Sequence, residues 1–128
     1  MRLLLDTHTL VWFLKDAPEL SISARDAIEL DVAVVFVSAV NAWEIATKVT
    51  NGKWPEAASL VDTLVAEMDR LDLNALPITV EHALRAGSYR HLHRDPFDRL
   101  LVAQSEIDDL VLVTRDRALT AVGIKTLW

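Results

Sequence analysis

Three short runs of uninterrupted apolar residues constrain this chain most: Leu3-Leu4-Leu5, Val34-Val35-Phe36-Val37 and Leu110-Val111-Leu112-Val113. Strands without a polar alternate face do not suit a half-solvated sheet and are expected to be covered on both sides. The segments between them have helical spacing. Residues 8–15 leave the first run as a helix. A second helix is expected over Ser23–Leu30, with Ser23 and Asp26 spaced as a capping box. Ser38 serves as N-cap for a helix reaching Asn51, stopped by Gly52. Ala57–Leu71 places Leu60, Val61, Leu64, Val65 and Met68 on one helical face. A short strand follows around Ala75–Ile78, then a helix over Thr79–Ala86 ended by Gly87. Asp95-Pro96 opens a helix that runs to about Asp108. Asp116–Val122 is a short helix, and residues 124–128 form the last strand. The alternation predicts an α/β chain, a three-layer α/β/α sandwich around a central, mostly parallel sheet of about five strands.

No repeat, low-complexity tract or Gly/Ser linker divides the 128 residues, so a single domain over 1–128 is expected. The absence of cysteine excludes disulfides and Cys-ligated zinc. The longest uncharged run, Val32–Trp43, is too short to span a bilayer, and Asp6 interrupts the N-terminal apolar stretch. A cytoplasmic protein without membrane contact is expected. The net charge of −6, from 19 acidic and 13 basic residues, argues against gripping nucleic acid by charge alone. It does not argue against a metal-dependent site, where a cation reverses the local sign.

Four acids stand out. Asp6 directly follows the first strand, and Asp116 follows the 110–113 strand after Thr114-Arg115. Asp98 lies in the first turn of the preceding helix, and Glu44 lies about two turns into the helix after the second strand. In open parallel sheets ligands bind beyond the carboxyl ends of the strands, where strand order reverses, and the predicted topology can bring all four there. Hard divalent cations take oxygen ligands, and a few carboxylates plus waters suffice for Mg²⁺. Each acid also has an ordinary use. Asp6 can cap a helix, Asp98 can complete a capping box begun by Asp95, Asp116 can favour the positive end of its helix, and Glu44 can be solvated. Yet Glu44 lies within Ala42-Trp43-Glu44-Ile45-Ala46 and Asp6 lies between apolar runs, where an unpaired carboxylate is costly and a shared cation offsets the cost.

Other chemistries fit less well. His91-Leu92-His93-Arg94-Asp95 has the spacing of a zinc-hydrolase motif, but Pro96 stands where the next histidine is needed. The remaining histidines, His8 and His82, lie upstream. A histidine acid–base pair at His91 and His93 would leave the four acids unexplained. With Arg90, Arg94 and Arg99, those histidines read instead as a basic rim or as solvated residues. A phosphatase with Asp6 as nucleophile needs a second Asp two residues on, where His8 stands. Trp43 is read as a core residue, and Trp54, beside Pro55, as an exposed one.

Four segments, LLLDTHTLVW (3–12), AWEIATK (42–48), HRDPFDRLLVAQ (93–104) and LVTRD (112–116), strongly resemble the successive motifs of PIN-domain ribonucleases, especially VapC-type toxins of toxin–antitoxin systems. The resemblance implies that Asp6, Glu44, Asp98 and Asp116 are the catalytic, metal-binding acids. Asp98 takes the third role rather than Asp95, because it precedes Leu100-Leu101-Val102-Ala103 as the family's acid precedes its apolar helix. Thr7, Ser38, Asp95, Arg99 and Thr114 become the residues expected to support the acids or touch substrate, with ordinary capping as the alternative for Thr7, Ser38, Asp95 and Thr114. The implied activity is Mg²⁺- or Mn²⁺-dependent endonucleolytic cleavage of RNA, leaving a 5′-phosphate and a 3′-hydroxyl. The implied partners are a cognate antitoxin and a second copy of the chain. The alternative is a catalytically inactive PIN-like interaction module, against which the intact acidic quartet speaks.

Overall fold

The computed structural model describes residues 1–92 and 94–128. Strand β1 (Arg2–Leu5) leads into α1 (Thr7–Leu14) and α2 (Ile22–Glu29). Strand β2 (Val34–Ser38) is followed by α3 (Ala39–Thr50), a 3₁₀ turn (Pro55–Ala57) and α4 (Leu60–Arg70). Strand β3 (Asn74–Leu76) precedes α5 (Val80–Ser88) and α6 (Pro96–Ile107), then come β4 (Val111–Val113), α7 (Arg117–Thr120) and β5 (Thr126–Leu127). The strands form one sheet in the order β3-β2-β1-β4-β5, every neighbouring pair parallel. The expected α/β/α sandwich is the observed architecture.

The central strand explains the layering. Leu4 pairs with Phe36 on one side and Leu112 on the other, and Leu3, Leu4 and Leu5 are all completely buried. Side chains alternate across a strand. Leu3 and Leu5 therefore join α1, α2 and α4 through Leu10, Ile28, Leu60 and Leu64, while Leu4 joins α6 and α7 through Leu101, Val102 and Leu119. Helix α3 serves both cores, through Ile45 and Val40. The chain steps outward from β1 to β2 and β3, then crosses back to place β4 on the other side of β1. The reversal of strand order thus falls between β1 and β4.

Several boundaries differ from those expected. Helix α2 begins at Ile22, and its cap is Ser21, whose Oγ accepts from the Ala24 amide at 3.0 Å; the Ser23–Asp26 capping box does not form. Ser21 wins because it has the extended backbone an N-cap requires, while Ser23 is already helical. Ser21→Ala is therefore expected to cost about 1 kcal/mol in denaturant unfolding, whereas Ser23→Ala should be neutral or slightly stabilising, alanine being the better helix former; equal losses would contradict the assignment. The segment before Leu60 is a 3₁₀ turn rather than the start of α4. On α4, Leu60 and Leu64 are buried, but Val61 and Val65 are exposed. Gly87 lies inside α5 and does not end it.

Four helices stop by the same device. After α3, Gly52 at φ +71° lets the Lys53 amide reach the Lys48 carbonyl at 2.8 Å, as expected of glycine at that position. After α1, α4 and α6 the left-handed residue is an aspartate, Asp16, Asp72 or Asp109, and the following amide closes the same bond. Asp tolerates this conformation better than most residues, because its short side chain bonds locally.

Candidate active site

Asp6 and Asp116 stand where the strand order reverses. The Asp6 amide donates to the Val113 carbonyl at 3.1 Å, which ties the residue after β1 to the last residue of β4. Thr9 Oγ1 donates to the same carbonyl at 3.0 Å. Asp6 caps α1, its Oδ1 accepting from the Thr9 amide at 2.8 Å. Asp116 caps α7 by accepting from the Ala118 amide at 2.9 Å, and its own amide donates to Thr114 Oγ1 at 3.0 Å. Both carboxylates sit at helix N-termini, where the backbone dipoles favour negative charge. The two line one cavity of about 240 Å³ together with His8, Trp12 and Arg115.

Glu44 and Asp98 do not line that cavity. Glu44 is only 4% exposed, so its apolar surroundings are real, and its carboxylate is met by Lys48 one turn along α3. The cost of burying it is offset here by a lysine of the same helix. Asp98 is half-buried in the first turn of α6, and Asp95 is the cap of that helix, its Oδ1 accepting from the Phe97 amide at 2.8 Å and from the Asp98 amide at 3.4 Å. Among the described residues no group of three or more acids and histidines is close enough to hold a metal ion.

The supporting residues have distinct tasks. Thr114 orients Asp116. Thr7 is buried, its Oγ1 accepting from Asn41 Nδ2 at 3.0 Å. Ser38 caps α3 through the Val40 amide and donates to Gln104 Oε1 at 2.6 Å, which locks α3 to α6. Arg99 holds the segment between α5 and α6, donating to the carbonyls of Ala86 at 2.9 Å and Tyr89 at 2.6 Å. Arg90, His91 and Arg94 are exposed, while His93, the other member of the expected basic rim, lies outside the described residues. Burial pushes the Tyr89 hydroxyl up to about 12, so it stays protonated and offers no base near neutral pH.

Sequence reasoning passed over several residues. Asn41 is fully buried and joins three elements, accepting from the Ser38 amide and donating to the Leu5 carbonyl and Thr7 Oγ1. Its position three residues after a serine cap was the available signal. Trp12 and Arg115 flank the acids directly, and Arg115 lies 4.6 Å over the Trp12 ring. Trp43 is not a core residue: it is 50% exposed and meets Phe97 edge-on at 4.7 Å, because the α3 face carrying it turns away from the sheet. Trp54 is half-buried, held between His8 and Lys48.

The fold matches solved structures over nearly its whole length. A chain in the structure of VapBC2 from Rickettsia felis, bound to a fragment of its promoter DNA, aligns with a TM-score of 0.72 at 17% identity, covering 99% of this chain and 98% of that one. FitAcB from Neisseria gonorrhoeae gives 0.67 at 21% identity, covering 98% and 96%. VapBC-1 from nontypeable Haemophilus influenzae gives 0.67 at 16% identity, covering 99% and 97%. No curated protein matches the sequence. The sequence pattern of the PIN domain, in contrast, matches residues 3–125, and the chain therefore belongs to the PIN domain family.

Proposed function

We propose that the chain is a single-domain, metal-dependent endoribonuclease of the VapC toxin type, acting in the cytoplasm and neutralised by a cognate antitoxin. Proteins of this family are generally nucleases, and similar folds occur in VapBC and FitAB toxin–antitoxin complexes. The observation that carries the reading is the placement of Asp6 and Asp116 in one cavity at the strand-order reversal. The donor set suits Mg²⁺ or Mn²⁺. One oxygen of each carboxylate is engaged by a backbone amide, and among the described residues no hydrogen bond reaches either Oδ2. Mg²⁺ asks for only one or two carboxylates beside its waters. In this proposal Glu44 and Asp98 complete the acidic set. A bound cation supplies a water of lowered pKa and neutralises charge building on the phosphate. The protein holds Asp6 through the Val113 carbonyl and Asp116 through Thr114, so the acids need little reorganisation when substrate arrives.

An antitoxin and a second copy of the chain both need apolar surface to cover. Trp43, Val65, Val80 and Leu84 offer it, being 50%, 75%, 79% and 71% exposed. No helix among the described residues is long and apolar enough to cross a membrane.

The deciding experiment is cleavage of end-labelled single-stranded RNA by the purified chain. Cleavage is expected with Mg²⁺ or Mn²⁺ and not in chelator, leaving 5′-phosphate and 3′-hydroxyl ends. Activity that survives chelation and leaves 2′,3′-cyclic phosphates would overturn the carboxylate mechanism. Asp98→Asn is expected to be inactive. Asp95→Asn should keep its activity, since Asn caps a helix as well as Asp does; the opposite pattern would move the third acid to Asp95. A folded protein inert on every RNA tested with both metals would favour the interaction module.

A further inference from the structure

Three of the five residues lining the Asp6–Asp116 cavity are not acids, and the proposed cleavage chemistry uses none of them. They belong to a connected set of flat groups. The His8 ring lies 4.7 Å from Trp54 and 5.5 Å from Trp12, both tilted. The Arg115 guanidinium covers Trp12 at 4.6 Å, and Trp128 meets the same ring edge-on at 5.9 Å. Packing accounts for Trp12, Trp54 and Trp128, which are half-buried against the core. It does not account for His8 and Arg115, which are exposed. Nor does ion pairing account for Arg115. Although it lines the same cavity as two carboxylates, among the described residues it makes no salt bridge with either, and its recorded contact is the Trp12 ring.

We propose that His8 and Arg115, backed by Trp54 and Trp12, form a stacking surface for the unpaired bases that flank the phosphate brought to the Asp6–Asp116 cavity. This rests on the nuclease reading of that cavity and adds a substrate requirement to it. Imidazole and guanidinium planes are both surfaces on which splayed bases stack. Stacking tolerates any base, because every base has a π-face, but it needs the base unpaired. The tryptophans fix both planes beforehand, so little side-chain freedom is left to lose on binding. The arrangement also suits an acidic protein, because affinity comes from faces rather than from a basic groove.

The test titrates the full chain, in Ca²⁺ and with ligand integrity checked on a gel, against single-stranded oligoadenylate and an abasic chain of equal phosphate count. Oligoadenylate is expected to quench tryptophan emission and to bind about tenfold tighter than the abasic chain. His8→Ala and Arg115→Ala should each remove most of that preference, read as the ratio of the two affinities, while leaving the melting temperature near that of the parent; Arg115→Ala, which also deletes a charge, should weaken binding of both chains. His8→Phe, which keeps a ring, should retain the preference; Arg115→Lys, which keeps only charge, should lose it. Equal affinity for the two chains, or an Arg115→Lys protein that binds like the parent, overturns the stacking surface. The nuclease reading is scored separately on the parent protein. Metal-dependent RNA cleavage together with equal affinity for oligoadenylate and the abasic chain sinks this inference alone, whereas absence of metal-dependent cleavage sinks both.

Discussion

Asp6→Asn and Asp116→Asn are each expected to lower metal-dependent RNA cleavage about a thousandfold while leaving the fold intact. Asparagine keeps the oxygen that each residue offers to the Thr9 or Ala118 amide, and as an N-cap it equals aspartate. The α1 and α7 caps should therefore survive, and thermal unfolding in chelator should move by less than about 1 kcal/mol. What is lost is the negative charge that holds a cation beside the substrate. Metal-ion stabilisation of a phosphoryl transition state is worth several kcal/mol, and about 4 kcal/mol corresponds to three decades in rate. The measurement is the initial cleavage rate of single-stranded RNA at saturating Mg²⁺, together with the rise in melting temperature that Mg²⁺ produces. Cation binding to the folded state raises that temperature by mass action, so the parent should respond to Mg²⁺ and both variants much less. A variant that keeps more than about a tenth of the rate, with the parent's metal dependence, removes that acid from the site.

Asn41→Ala is expected to produce the largest loss of stability among polar substitutions near the site, about 3 kcal/mol. The side chain is fully buried, and its amide satisfies the Ser38 amide at 2.8 Å, the Leu5 carbonyl at 3.1 Å and Thr7 Oγ1 at 3.0 Å. Truncation strands buried polar groups of the backbone, and each stranded group costs about 1–3 kcal/mol. For a chain of this length the loss corresponds to a fall of roughly 10 °C or more in Tm. Asn41→Asp should not rescue it, since a carboxylate cannot donate to the Leu5 carbonyl and adds a charge next to the residue preceding Asp6. Denaturant unfolding measures the effect, and a loss below about 1 kcal/mol would show that water replaces the amide. Because these bonds join the end of β1 to the start of α3, the variant should also cleave RNA more slowly at temperatures where it remains folded.

Strands, helix order and layer count were legible because burial on both faces leaves a plain mark: an apolar run with no polar alternation. The acids after β1 and β4 were legible for a related reason, since a charged residue just after a buried strand stands beyond the carboxyl end of the sheet, where ligands bind. Helix ends were less so. Gly52 announced its stop, but Asp16, Asp72 and Asp109 adopt the same left-handed conformation, and nothing in an aspartate distinguishes that use from a solvated one. Ser21 and Ser23 competed for one cap, and the choice turned on the backbone angles of a single residue.

The sequence by itself determined that the chain is a PIN-family α/β sandwich and that Asp6 and Asp116 each follow a buried strand of its sheet. Only the tertiary structure decided what surrounds them. Periodicity reports which face of an element is apolar, not which residue of a distant element meets it. The burial of Glu44, the outward turn of Trp43 and the closure of Asn41 over the Leu5 carbonyl are consequences of packing. So is the placement of His8, Trp12 and Arg115 beside two carboxylates, which joins residues more than a hundred positions apart through the contact of β1 with β4.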